Sequence, residues 1–129
     1  MPLIYVIDDD KEMLGAMKAF LQKKGFEVSI FFNWHVAISA IKLWHPQLIL
    51  LDVFLSDNYD GLDLCQRIKS SPYSKSIPVI IISGFCKIAE SAINQYGADD
   101  FIAKPIVFKE MMLKINSALF KKTRIKQYT

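Results

Sequence analysis

Cysteine is scarce in this chain: its 129 residues include only Cys65 and Cys86, without CxxC spacing. A domain of this length buries enough surface to need no covalent staple, so a disulfide framework is excluded and both thiols read as reduced, in an intracellular protein. Long apolar runs are lacking too. The longest, around Leu48–Leu51 and Val79–Ile82, are of strand length, well short of the ~20 residues that cross a bilayer. The amino terminus has no basic region ahead of its apolar residues and reaches acids at Asp8, which argues against secretion. There is no internal repeat and no low-complexity linker.

What is present is a folding composition, 52% hydrophobic and 22% charged, enough for one domain and hardly a second. The formal net charge is +3, which by itself would suggest an anionic partner. Its distribution says otherwise. Residues 121–129 hold four of the 16 bases and none of the 13 acids, leaving 12 bases against 13 acids in residues 1–120. The domain is therefore assigned to residues 1–120, and residues 121–129 to a basic tail or linker, read as a solvated helix end followed by a disordered tail. Four bases there also complement a helix dipole.

Strand-length apolar runs alternate with segments of helical period. Leu3–Ile7 is continuously apolar and stops at Asp8, as a parallel strand buried on both faces would. Asp10 can cap a helix carrying Met13, Leu14, Met17, Phe20 and Leu21 on one face and closing at Lys23-Lys24-Gly25. Phe26–Phe32 reads as the second strand. A helix capped by Asn33 follows, with Val36, Ala37, Ala40, Ile41 and Trp44 along one face, ended by His45-Pro46. Leu48–Leu51 is the third strand. After the loop around Ser56–Gly61 comes a helix with Leu62, Leu64, Cys65 and Ile68, then a fourth strand over Pro78–Ile82. A helix over Lys87–Tyr96 stops at Gly97, a short fifth strand covers Asp100–Ala103, and a last helix spans Val107–Phe120. Five strands alternating with five helices predict right-handed crossovers and a parallel sheet covered on both faces.

In such a sheet, ligands gather at the carboxyl ends of the strands. There this sequence has Asp8, Asp9 and Asp10, then Asp52, Ser83 and Lys104. With strand order 2-1-3-4-5 the first and third strands are neighbours, and their terminal carboxylates become companions. Two carboxylates at about 4 Å repel by roughly 4 kcal/mol at an effective dielectric near 20, so the cluster must bind a cation or take up protons. Oxygen ligands without His or Cys favour a hard ion, Mg²⁺ or Mn²⁺. A carboxylate beside such an ion, facing a hydroxyl and an ammonium, is suited to receiving or transferring a phosphoryl group.

These residues closely resemble the receiver domain of two-component response regulators, the CheY-like superfamily. The resemblance covers residues 3 to about 120. It rests on Val6-Ile7-Asp8-Asp9-Asp10, Leu50-Leu51-Asp52-Val53, Asp60-Gly61-Leu62, Ile82-Ser83-Gly84 and Gly97-Ala98-Asp99-Asp100-Phe101-Ile102-Ala103-Lys104-Pro105, in that order and spacing. It implies a doubly wound, flavodoxin-like (βα)5 three-layer α/β sandwich with a parallel sheet of order 2-1-3-4-5. It makes Asp52 the phosphoacceptor, supplied by phosphohistidine of a sensor histidine kinase or a histidine phosphotransfer protein. Asp8, Asp9 and Asp52 would hold Mg²⁺, with Asp9 preferred over Asp8 as direct ligand and Phe54 contributing its backbone carbonyl. Lys104 would pair with the phosphoryl group, and the Lys104-Pro105 peptide would be cis. Ser83 and Phe101 would be the switch hydroxyl and switch aromatic. The readout would be the face of the fourth helix, fifth strand and fifth helix, through which partners bind or a homodimer forms. The implied protein is cytoplasmic, without direct nucleic-acid or membrane contact, and a signalling phosphoacceptor whose only chemistry is its own phosphorylation and dephosphorylation. Nothing after residue 120 resembles an output domain.

The sequence departs from the family pattern after the third strand. Ser56 stands where a Pro is usual, and Asp60-Gly61 comes one residue late. Phe54 puts a bulky apolar group beside the phosphorylation site and should change the dephosphorylation rate; equal phosphoryl lifetimes for the natural protein and Phe54→Asn would refute this. Two alternatives use some of the same residues. A haloacid dehalogenase-type phosphatase could draft Asp8, Asp10, Ser83, Lys104 and Asp99-Asp100, but the order fails and Asp52 goes unexplained. A receiver-shaped interaction module that is never phosphorylated would not need the full set of Asp8, Asp9, Asp52, Ser83 and Lys104. Structural readings suffice elsewhere: Asp10 as a helix cap, Asp57 and Asp60 as loop and turn residues, Asp99 and Asp100 as surface residues, and His35 and His45 as surface residues. Trp34, Trp44 and Tyr96 are packing or partly exposed, and Cys65 is core.

Overall fold

The computed structural model describes residues 2–53 and 60–128, with side chains through residue 121. Its elements follow in the order β1 (Leu3–Ile7), α1 (Lys11–Lys23), β2 (Glu27–Phe31), α2 (Trp34–Trp44), β3 (Leu48–Asp52), α3 (Gly61–Ser70), β4 (Val79–Ser83), α4 (Ala89–Asn94), β5 (Asp100–Ala103) and α5 (Phe108–Tyr128), with a 3-10 turn at Cys86–Ile88 leading into α4. All strand pairs are parallel, in the order β2-β1-β3-β4-β5. The expected doubly wound topology is therefore present.

Alternation of side chains along the strands sorts the core into two layers. Tyr5, Ile7, Ile49, Leu51, Val79 and Ile81 face one layer with α2, α3 and α4, whereas Ile4, Val6, Leu48, Leu50, Ile80 and Ile82 face the other with α1 and α5. Every residue of β3 and β4 is buried. Burying one Leu or Ile side chain contributes about 1.5–3 kcal/mol, so these two central strands anchor the sheet and the loops at its carboxyl edge.

Helix starts match their cap residues. The Asp10 carboxylate accepts from the Glu12 and Met13 N–H groups, and the Asn33 side chain accepts from those of His35 and Val36. Several boundaries differ from the sequence reading. β2 starts at Glu27, and β4 runs Val79–Ser83, shifted past Pro78, which has no N–H to give a ladder. The fourth helix is cut to Ala89–Asn94; the 3-10 turn takes its first residues, and neither Phe85 nor Ile88 supplies a side-chain cap. The last helix continues to Tyr128, so the basic segment from Lys121 to Lys126 lies on helical backbone rather than in a disordered tail.

The α2 stripe is also rotated. Ala37 and Ile41 are buried and Trp34 and Ile38 pack beside them, while Val36 and Trp44 are 57% and 70% exposed. Both stripes are apolar at helical spacing, so periodicity could not choose between them; the sheet surface did. Cys65 is core as expected and Cys86 is exposed, both as free thiols. Burial pushes the Cys65 thiol up to about 12. His35 and His45 lie on the surface.

Candidate functional site

Ile7 of β1 pairs with Leu51 of β3, so Asp8, just past β1, and Asp52, the last residue of β3, come next in the same register, side by side. Ser83 ends β4 in register with Ala103, and the Lys104 N–H donates to the Ser83 carbonyl, which sets Lys104 at the same edge. Four strands thus deliver Asp8, Asp52, Ser83 and Lys104 to one crevice, with Asp9 at its rim. Asp8, Asp52 and Ser83 are 2%, 4% and 1% exposed, while Asp9 is exposed.

The Lys104 ammonium donates to Asp52 Oδ1 at 3.0 Å and stands 3.8 Å from Asp8 Oδ2. One oxygen each from Asp8, Asp9 and Asp52 lies within 4.8 Å of the others. The Asp10 N–H donates to Asp8 Oδ1 at 3.0 Å, which fixes that carboxylate. Burial pushes the Asp8 carboxyl up to about 6; the Asp10 N–H and Lys104 oppose the rise, and the Asp52 and Asp9 charges add to it. Asp52 is raised as well, chiefly by burial and against the pull of Lys104. Lys104 loses hydration, which alone would lower its pKa, but the Asp52 hydrogen bond and the charges of Asp52 and Asp8 outweigh this and raise it. A buried carboxylate pair held above its usual range, with an exposed third carboxylate at the rim, fits a hard divalent cation by its donor set alone.

Further contacts support the crevice from α3, the turn after β4 and β5. Asp60 caps α3 by accepting from the Leu62 N–H, and the Gly61 N–H donates to the Val53 carbonyl at 2.6 Å. Gly61 packs directly on the backbone of Asp52 and Val53, where a Cβ would collide. The Phe85 N–H donates to Ser83 Oγ at 3.0 Å, which holds the hydroxyl oxygen in a tight turn after β4. Phe101 is buried, 7% exposed, in the layer that contains Ala92 and Ala98, and its carbonyl accepts from Lys114, which also faces Asp100 at 3.7 Å. The Lys104-Pro105 peptide is cis. Phe54 and the loop residues Ser56 and Asp57 lie outside the described residues.

Asp99 does more than the surface role expected of it. Its carboxylate accepts from the Val79 N–H at 2.7 Å and from Lys69 at 2.9 Å, and Lys69 also donates to the Ile77 carbonyl. This clip joins α3, the start of β4 and the start of β5. Only the fold brings Lys69 and Asp99 together, so their spacing in the chain carried no signal for it.

Among the described residues no helix is long and apolar enough to cross a membrane. The family model of the response regulator receiver domain matches residues 4–116. The nisin biosynthesis regulatory protein NisR of Lactococcus lactis subsp. lactis is 32% identical over 125 residues, 95% of this chain and 52% of that protein. The DNA-binding dual master transcriptional regulator RpaA of a Synechocystis strain is 29% identical, over 98% of this chain and 53% of its own length. The chain therefore spans about half the length of the curated relatives it matches. Among solved structures, the receiver domain of NtrX from Brucella abortus is 34% identical with a TM-score of 0.82, covering 90% of this chain and 97% of that one. A CheY-like receiver domain protein from Methanospirillum hungatei JF-1 is 25% identical with a TM-score of 0.87, covering 96% and 98%. With its five-stranded topology and its acidic crevice, this chain belongs to the response regulator receiver domain family, the signalling domain of two-component systems.

Proposed function

We propose that this domain accepts a phosphoryl group on Asp52 from a phosphohistidine and passes the change to its α4-β5-α5 face. One observation carries the proposal: the Lys104 ammonium bridges two buried carboxylates, 3.0 Å from Asp52 and 3.8 Å from Asp8, with the exposed Asp9 beside them. An Asp52 oxygen attacks phosphorus, the P–N bond breaks, and the donor ring, already protonated on its other nitrogen, keeps the released electron pair and leaves as neutral imidazole. Lys104 offsets charge on the transferred oxygens, and the Ser83 hydroxyl donates to one of them. Asp8, Asp9 and Asp52 would hold Mg²⁺ or Mn²⁺, and the Phe54 carbonyl is a further candidate ligand. A bound ion would supply neutralising charge for the phosphoryl oxygens.

A phosphoryl group adds about −1.5 to −2 charges at Asp52 and several strong acceptors. The Ser83 oxygen, held by the Phe85 N–H in the turn after β4, still has its proton to donate to them, and movement of Ser83 toward the phosphoryl group carries that turn with it. Phe101 occupies the neighbouring layer and is the ring placed to respond. Ile93 of α4 and Leu113 of α5 are exposed, which suits the use of this face for a partner, an output domain or a second copy. The donor would be a sensor histidine kinase or a histidine phosphotransfer protein in the cytoplasm.

Incubation with a small phosphodonor and Mg²⁺, followed by intact mass, tests the reading. Gain of one phosphoryl group by the natural protein, and none by Asp52→Asn, supports it. No gain from either a small donor or a kinase would overturn it in favour of a silent interaction module.

A further inference from the structure

At the opposite pole of the sheet, α2 and α3 converge where both end, and between them lies a pocket of about 80 Å³. Ile38, Ile41 and Ile68 give it an aliphatic side, Ser71 and Ser74 a hydroxyl side, and Lys42 and Arg67 complete the lining. Among the described residues neither cation has a carboxylate partner; Arg67 lies over the Trp34 ring at 5.9 Å, which leaves its charge uncompensated. Residues 28–51 and 64–89 contain neither Asp nor Glu, and the acid just before them, Asp63 in the first turn of α3, makes no ion pair with Arg67. Lys69, the one other α3 cation nearby, is already neutralised by Asp99. Beside Lys42 on α2, Leu43 and Trp44 are 73% and 70% exposed, and Tyr73 follows α3 at 64%.

We propose that this α2–α3 face docks an acidic segment of a partner protein, which seats one aliphatic side chain between the helices and sets flanking carboxylates on Lys42 and Arg67. Charge complementarity selects the partner: a pocket lined by two cations and no acid needs an anionic one. The pocket selects the anchor. A benzene-sized ring occupies a cavity of about 150 Å³, so a space of about 80 Å³ suits a Leu, Ile, Val or Met side chain and excludes a nucleobase. A symmetric contact with a second copy is disfavoured, because it would set Lys42 and Arg67 against themselves. The site lies at the amino ends of the strands and does not depend on phosphorylation at Asp52.

A random peptide library displayed on phage, selected on the immobilised full chain, tests this. The expected consensus is one aliphatic residue flanked by Asp or Glu. A selected peptide should shift the methyl resonances of Ile38, Ile41 and Ile68. It should bind about tenfold more weakly, or not at all, to Lys42→Glu/Arg67→Glu. The milder Lys42→Gln/Arg67→Gln, checked by circular dichroism, guards against misfolding, and both variants should accept phosphoryl groups as the natural protein does. The proposal is overturned if no acidic–aliphatic consensus emerges, if binding survives charge reversal, or if polyglutamate binds equally well. It is also overturned if oligothymidylate or phosphatidylglycerol vesicles engage Lys42 and Arg67 while the peptides do not.

Discussion

Gly61 rests on the backbone of Asp52: a Cβ on Gly61 would overlap the Asp52 carbonyl oxygen and come within 2.7 Å of Val53 Cα. The first turn of α3 thereby supports the strand end that carries the candidate phosphoacceptor. Close backbone approach, rather than a left-handed dihedral, is what requires glycine here.

Gly61→Ala should therefore act on the site more than its size suggests. One methyl group forced into packed backbone typically costs about 1–3 kcal/mol, and relief here means separating the start of α3 from the backbone of Asp52 and Val53. Urea denaturation should show that loss, and phosphorylation from a small donor should slow more than the stability change explains. Unchanged phosphorylation kinetics would refute the support role.

The Asp8 carboxyl makes stability depend on pH with a definite sign. Its folded pKa of about 6 lies above the ordinary 3.8, so between these values the folded state holds the proton that the unfolded state has lost. The metal-free domain should become less stable as pH rises through that window. Mg²⁺ competes for the same deprotonated oxygens, so its stabilisation should be small below pH 6 and grow above it. Melting curves with and without Mg²⁺ across this range check both. Asp8→Asn should raise metal-free stability at neutral pH by about 1–3 kcal/mol and remove most of the Mg²⁺ increment.

Lys104→Met should destabilise the metal-free domain by about 1–3 kcal/mol, because Asp52 and Asp8 then lose the ammonium that compensates them. The raised Asp8 pKa should climb further, measurable by carboxyl carbon NMR. Adding Asp52→Asn to Lys104→Met should restore part of the stability; failure to do so would mean that Lys104 acts by packing alone.

The Lys69–Asp99 clip gives a prediction away from the crevice. Asp99→Ala leaves the Val79 N–H without its acceptor and should cost about 1–2 kcal/mol, whereas Asp99→Asn retains an oxygen and should cost less. In a double-mutant cycle with Lys69→Met the two losses should not add, since both residues belong to one network. Additive losses would show that the ion pair contributes nothing.

By itself the sequence determined the order of strands and helices, the caps at Asp10 and Asn33, and the polar residues that end four strands, because each is written in local patterns of apolar spacing and helix-start chemistry. Resemblance to receiver domains added the roles expected of Asp8, Asp9, Asp52, Ser83, Phe101 and Lys104. Tertiary structure decided the rest. It kept Ala37 and Ile41 of the expected α2 stripe but set Trp34 and Ile38 beside them in place of Val36 and Trp44, because apolar residues at helical spacing lie on both sides of that pair and only the sheet distinguishes them. It set Lys104 at 3.0 Å from Asp52 and Lys69 at 2.9 Å from Asp99, pairings across 52 and 30 residues that no local pattern encodes. It also raised the Asp8 carboxyl, since a pKa depends on burial and on the charges the fold assembles, and a sequence fixes neither until the chain has closed around them.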